Sequence, residues 1–392
     1  MSVRSESDPL AVLLVSAVFM NGFEAGGYQA CLLSIGGSYQ LSNSAMGMLA
    51  SVQLIAILIA PLIFGSLADR IGKQKVLTWF CFAETAGCLL VLLSSSAMMF
   101  LPGIFLVGFG VSIIQYIAIA ALQDAYPVSG RKKTGVLTSL YSAGAFVSPL
   151  LCGWMLSAGL SWKVLFAALL ACSLLIGLLA AGMDFAPREQ AAGAAAGQSS
   201  ASAGRFYPAG VLLLCLIMFV YVGFENGYAY FLNALTAATL KGSQSYLVLS
   251  VFWLAMIPSR LLSGYLEKYR GSVLVLSSVM IAVLLYLLSG TSSAAAAIVI
   301  SFAMGFFSGT IYPCVLNDSA GFAGGRTATV AGWITASTGL GGAVITAVLG
   351  SLSDRYGLQE SFILLGGWIL LDAVLSVLLI RARRKQGSLE QN

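Results

Sequence analysis

Residues 21–30 read NGFEAGGYQA, and residues 222–231 read VGFENGYAYF. Each sets one glutamate, Glu24 or Glu225, in a Gly-Phe-Glu-x-Gly frame inside an otherwise apolar run. The first run extends from Leu10 to Ile35. It is too long for the apolar part of a secretion signal, and at about 1.5 Å per residue it can cross a hydrocarbon core of roughly 30 Å. An acid at mid-membrane costs roughly 2.5–3.5 kcal/mol on insertion scales, so such residues face a bundle interior or a watery cavity. Two of them in one local frame call for a common reason.

The surrounding composition agrees with a membrane chain. Of 392 residues, 59% are hydrophobic and 9% charged, against about 25% charged in a typical soluble domain; the mean hydropathy is +0.92. Twelve apolar spans are expected, near residues 9–35, 43–67, 76–97, 100–126, 134–157, 162–183, 208–235, 244–266, 272–290, 294–318, 327–350 and 361–380. The start, MSVRSESDP, is polar, and no cleavable signal is expected. The seven cysteines lie scattered in apolar runs, CxxC is absent, and there is no histidine. No metal site and no cofactor are therefore expected. Without histidine, carboxylates are the natural proton carriers, because desolvation moves a carboxylate toward titration near neutrality.

An even number of spans puts both termini on one side. With the N-terminus inside, the cytoplasmic segments hold 16 of the 20 Lys and Arg residues, the outer loops hold Lys163, Lys241 and Arg355, and Arg260 lies within a span. The positive-inside rule then predicts a multi-pass protein of the cytoplasmic (inner) membrane with both termini cytoplasmic. The net charge of +5 is topological, and no nucleic-acid partner is expected.

The longest polar interruption, from Met183 to Pro208, is rich in Ala, Gly and Ser and reads as a linker. It divides the chain into an N-terminal six-helix bundle (1–183), a cytoplasmic linker (184–207) and a C-terminal six-helix bundle (208–392). Further echoes support the duplication. GSLADRIGKQKVL at Gly65, GWMLSAGLSWKVLF at Gly153, GYLEKYRGSVLVL at Gly264 and GSLSDRYGLQESFIL at Gly350 each end one span and lead into the next. ALQDAYPVSGR (Ala121 to Arg131) pairs with VLNDSAGFAGGR (Val315 to Arg326). Four units of three helices account for this spacing.

GSLADRIGKQKVL, between spans 2 and 3, resembles the loop signature of the major facilitator superfamily, through Gly65, Leu67, Asp69, Arg70, Gly72 and Lys73. The second-half counterpart GYLEKYRGS departs, with Glu267 and Lys268 in place of the Asp-Arg pair. YVGFENGYAYF and GFFSGTIYPCVL are similar to patterns of the fucose–galactose–glucose:proton symporter group. The resemblance implies an all-α polytopic protein of two pseudo-symmetric six-helix bundles that rock about a central substrate site.

For substrate and proton binding the candidates are Glu24 and Glu225 with the polar and aromatic residues near them: Tyr28, Gln29, Gln115, Tyr141, Asn226, Tyr228, Asn233 and Tyr312. Gln53, Tyr116, Tyr230, Trp253 and Asn317 belong to the same population. Amides suit hydroxyls and ring faces suit the apolar side of a sugar; aromatics with a carboxylate also suit lipophilic cations. The glycines flanking each glutamate have a second explanation, close helix packing. For gating, the candidates are Asp69, Arg70, Lys73, Asp124, Arg131 and Asp318, as inter-helix charge pairs at cytoplasmic helix ends. Glu84, Asp372 and Arg260 are further intramembrane charges without an assigned role.

These observations favour a secondary transporter, proton-coupled, of a small polar solute, acting as a monomer in the bilayer. A drug or lipophilic-cation:proton antiporter is the alternative. An enzyme is not expected, nor is ATP-driven transport, since no GxxxxGK[ST] loop occurs. No signalling domain is recognised.

Overall fold

A computed structural model describes residues 8–64, 67–126, 130–186, 188, 206–237, 244–323 and 327–390. Twelve helices among them are long and apolar enough to cross a membrane. They are α1 (Pro9–Ser38), α2 (Asn43–Phe64), α3 (Lys73–Leu93), α4 (Ala97–Ala125), α5 (Gly130–Ser157), α6 (Lys163–Ala181), α7 (Pro208–Ala237), α8 (Gln244–Ser263), α9 (Arg270–Ser289), α10 (Ala294–Phe322), α11 (Thr327–Tyr356) and α12 (Leu358–Glu390). A short helix, Leu67–Ile71, precedes α3, and a 3-10 segment, Gly264–Tyr269, precedes α9. No strand occurs among the described residues. The last helix runs ten residues past its expected end at 380, because the basic tail from Arg381 continues the helix. The expected linker falls mostly outside the described residues.

Local chemistry sets the helix ends. Asp8 caps α1 by accepting from the Leu10 N–H at 3.0 Å, with Pro9 in the first turn. Ser96 and Ser293 cap α4 and α10, helices six places apart, in the same way. The glycine echoes also acquire a reason. The second glycine of three of them, Gly72, Gly159 and Gly357, adopts positive φ of 94°, 78° and 87°, a conformation L side chains rarely take. In the fourth echo, Gly271 lies inside α9 and packs against Ile380 instead.

Packing repeats at a spacing of six helices. α1 crosses α5 as α7 crosses α11; α3 packs on α4 and α6 as α9 packs on α10 and α12; α2 lies on α4 as α8 lies on α10. The two sixes meet chiefly through α2 against α11 and α5 against α8. At the α1–α5 crossing, a Cβ on Gly22 would fall 1.9 Å from the Tyr141 carbonyl oxygen, and one on Gly26 2.4 Å from that of Ala145. At the α7–α11 crossing, a Cβ on Gly341 would fall 2.1 Å from the Phe219 carbonyl oxygen, and one on Gly223 2.6 Å from the Ile345 side chain. The flanking glycines of the duplicated frame thus serve helix approach, leaving the glutamates to be explained. Exposed apolar side chains such as Trp79, Leu93, Leu178 and Val374 lie on the outside, the surface of a multi-pass membrane protein.

Candidate functional site: a central cavity between the two helix sets

A cavity of about 670 Å³ opens between the two sets of helices, with Glu24 of α1 and Glu225 of α7 both on its wall. Gln29, Gln53, Gln115, Tyr116, Tyr141, Asn226, Tyr230 and Trp253 also line it, together with Ser112, Thr335 and Thr338. No Lys or Arg is among the described lining residues.

The inner end is a hydrogen-bonded floor. Gln53 Nε2 donates to Glu24 Oε1 at 2.6 Å, and the Tyr230 hydroxyl donates to Gln53 Oε1 at 2.9 Å. Trp253 Nε1 donates to Gln29 Oε1 at 3.2 Å. Both chains of contact pass from one helix set to the other, and a buried polar network is stable only when its members are paired in this way. Glu225 accepts from the hydroxyl of Tyr221, one turn earlier on α7. Toward the mouth the wall becomes aliphatic: Ile57, Leu58, Pro61, Leu62 and Ile119. Glu24 is 1% exposed, whereas Leu62, next to the basic loop between α2 and α3, is 68% exposed. The cavity therefore opens at the end that carries the basic connections.

The opposite end is closed by contacts between the two sets. Asp354 of α11 accepts from the Asn43 and Ser44 N–H groups at the start of α2, at 2.8 Å each. Ser51 donates to the Ala343 carbonyl at 2.6 Å, Asn233 donates to that of Ala30 at 3.0 Å, and Gly153 lies against the ring of Tyr246.

Of the ten residues the sequence singles out for binding, Glu24, Glu225, Gln29, Gln115, Tyr141 and Asn226 line the cavity. The other four do not. Tyr28 is wholly buried among Phe100, Phe166 and Tyr230. Tyr228 shares a hydrogen bond with Ser301, and Asn233 is used in the closed end. Tyr312 is half-buried in α10 outside the lining. Aromatic and amide residues on a long helix point in all directions, so type and span alone do not select the inward face. Tyr221, Ser112, Thr335 and Thr338 are absent from the sequence-derived set. The signal available for Tyr221 is its spacing of one turn from Glu225. Asp354 also escaped, although it sits in the Gly350 echo.

Among the gating candidates, Lys73 pairs with Asp124 at the basic ends of α3 and α4. Asp318 is buried and pairs with Arg270 at 3.2 Å and with Arg383. Each cluster stays within one helix set, so neither bridges the two sets in this open-ended conformation. Arg70 is exposed. The side chains of Asp69 and Arg131 lie outside the described residues. Arg260 of α8 does not pair with Glu225; its guanidinium donates to Ser142 of α5 at 3.0 Å, while its charge acts on Glu225, Tyr141 and Tyr312 from nearby. Glu84 and Asp372 are fully buried, and Asp372 accepts from Ser278 at 3.0 Å.

Twelve helices in two sets of six, with a cavity between the sets that is sealed at one end and open at the other, define the class of membrane proteins built around a central solute-sized site. The sequence model of the Major Facilitator Superfamily matches residues 14–346 and 214–391, and the chain belongs to that superfamily. Myo-inositol transporter 1 of Candida albicans is 24% identical over 171 residues, 41% of this chain and 31% of that protein. Multidrug resistance protein MdtM of Salmonella typhimurium is 31% identical over 114 residues, 29% of this chain and 27% of that protein. The chain thus spans less than a third of the length of these two relatives. Among solved structures, a bacterial homologue of the human lysosomal transporter Spinster, inward-facing and unoccupied, superposes with a TM-score of 0.81 at 14% identity, covering 97% of this chain and 99% of that one. A D-xylose-proton symporter superposes with a TM-score of 0.76 at 14% identity, covering 93% and 96%.

Proposed function

We propose that the chain is a secondary transporter that moves a small polar solute across the cytoplasmic membrane by alternating access, coupled to protons. The observation that carries this reading is the placement of Glu24 and Glu225 on one cavity wall, one from each helix set, beside amides and rings suited to a hydroxylated solute. Sealing at one end and opening at the other is what an alternating-access cycle requires of one of its two end states. The basic loops at the open end support a cytoplasmic side for it. A substrate that bridges the sets senses both and favours the arrangement in which both grip it.

A second reading, export of lipophilic cations, is favoured by one specific feature: two carboxylates and no described cation on a wall that turns aliphatic toward its mouth. A thermal-shift screen of the purified protein against sugars, organic acids and lipophilic cations separates the two. A ligand that binds the folded state raises apparent stability by RT ln(1 + [L]/Kd). Stabilisation by sugars supports the first reading, and stabilisation by cations alone replaces it with the second.

A further inference from the structure

Gln53 of α2 is 1% exposed, and both ends of its amide are engaged. Nε2 donates to Glu24 Oε1 at 2.6 Å, within its own helix set. Oε1 accepts from the Tyr230 hydroxyl of α7, in the other set, at 2.9 Å. Among the described residues no other donor reaches the Glu24 carboxyl. The stem of Gln53 is held as well as its head. A Cβ on Gly108 of α4 would lie 2.7 Å from the Gln53 carbonyl oxygen and 3.0 Å from its Cγ, so α4 lies against the stem where only a hydrogen stands. The Tyr230 ring is fixed too, edge-on to Tyr28 at 5.5 Å between centroids.

An amide is polar in one direction. Here its N–H meets a carboxyl oxygen and its oxygen meets a hydroxyl proton, the arrangement an ionised Glu24 calls for. A charge-assisted bond at one end polarises the amide and strengthens the bond accepted at the other. A proton on Glu24 changes both bonds. If the acid turns its O–H away, the amide N–H loses its charged acceptor. If the acid donates to the amide oxygen, the amide turns over and presents N–H to the Tyr230 hydroxyl. Either way the bond that reaches α7 is weakened or reversed.

We propose that Gln53 is the positioning residue that carries the protonation state of Glu24 from one helix set to the other. With Glu24 ionised it ties α2 to α7 and favours the conformation seen here, sealed at the far end. With Glu24 protonated the tie loosens, and the conformation open at that end gains population. This rests on the proton-coupled reading above and adds to it how one proton acts on both sets.

Other titratable and charged groups surround Glu24: Tyr28 on its own helix, Tyr141 on α5, Tyr116 on α4, Tyr230 and Glu225 on α7, Arg260 on α8, and Glu84 and Cys88 on α3. Phenols and thiols ordinarily titrate above about pH 8, so below that the carboxyls are the groups to separate. Spin labels on either side of the sealed end, read as distance distributions in lipid without substrate, follow the two conformations over such a pH series. In the parent the ratio of long to short separation is expected to rise about fivefold as Glu24 gains its proton, the difference between a hydrogen bond to a charged group and one to a neutral group. Glu24→Gln is expected to remove that step, and a step that survives it belongs to another acid and overturns the proposal. Tyr230→Phe keeps the ring and Gln53→Met keeps the length. Both are expected to flatten the step while the infrared carbonyl band of the Glu24 acid still appears as pH falls. A step of the parent's size in either variant, or a parent without a step, overturns the proposal; if Gln53→Met does not fold, Tyr230→Phe decides. A step lost in the variants of a protein that shows no proton-driven accumulation leaves the Gln53 link standing and overturns the proton coupling proposed above.

Discussion

At the scale of single residues, the two cavity glutamates differ in what holds them, so removing charge from each has a different expected signature. Glu24 has an amide donor, Gln53, which in turn accepts from Tyr230 of the other set; Glu24→Gln keeps the shape and is expected to abolish proton-driven accumulation while preserving substrate exchange. Glu225→Gln is expected instead to weaken substrate binding, read as a smaller thermal shift with the screened ligand. Accumulation against a gradient in both variants, as in the parent, would remove the coupling role from both. A second expectation concerns Asp8, outside the membrane. Partial burial works against its ionisation, but the Tyr126 hydroxyl, the Leu10 N–H and the Arg188 guanidinium outweigh it and hold the carboxyl below its ordinary value of 3.8. A lowered folded value means that the stabilisation is present above the ordinary carboxylate range and is lost as pH falls through the folded value. The tie between the α1 start, Tyr126 and Arg188 is therefore intact at neutral pH and released in strong acid. Hydrogen exchange at the start of α1 checks this: protection there is expected to drop in Asp8→Asn at neutral pH and to lose its acid dependence. The sequence marked Glu24 and Glu225 because an acid in an apolar helix is costly wherever it stands. It could not rank Tyr28 against Tyr230, since both are tyrosines a few residues past the glutamate of their run and only the direction each side chain takes separates them.

At the scale of helices, the glycines of the duplicated frame decide how closely α1 and α5 approach. Gly22→Ala would drive a methyl into the Tyr141 backbone, which cannot yield as a flexible side chain can. A loss of about 1–3 kcal/mol is expected, as for overpacked cores. Gly37, near the end of the same helix, has open space around it, and Gly37→Ala is expected to be neutral or to gain up to about 1 kcal/mol from helix propensity. Thermal unfolding of both variants in one detergent checks the contrast, and equal midpoints would discard the close-approach reading. Helix existence was readable from apolar length, because a span must cover the bilayer. The helix ends were less so. The α12 extension depends on the tail beyond Arg381, which hydropathy treats as a loop but whose residues favour helix. The echoed glycines were visible as a repeat before their cause was: positive φ at Gly72, Gly159 and Gly357, and packing at Gly271, are properties of backbone geometry that an identical letter does not distinguish.

At the scale of the whole molecule, the two helix sets touch mainly at the end opposite the basic loops, and those contacts hold the cavity open at the other end. Duplication was legible as repeated motifs; which end is closed was not, because the sequence is the same in every state of the cycle. The closing contacts are weak individually and use backbone groups, as a seal that must break requires. Asp354 is the one among them with a charge. It takes the two leading N–H groups of α2 from a helix of the other set, so it serves as a cap borrowed across the interface and sits at the positive end of the α2 dipole. In a conformation open at that end the cap is lost, and the helix start must turn to water. Asp354→Ala therefore removes a stabilisation that exists in one conformation only. A cap of this kind contributes about 1 kcal/mol, which moves a two-state ratio about fivefold. Spin labels placed on either side of the closed end, read as distance distributions in lipid, are expected to show the longer separation more populated in Asp354→Ala than in the parent. The same population in both would mean that the cap is matched by solvent in the alternate state, and that α2 against α11 holds the seal by packing alone.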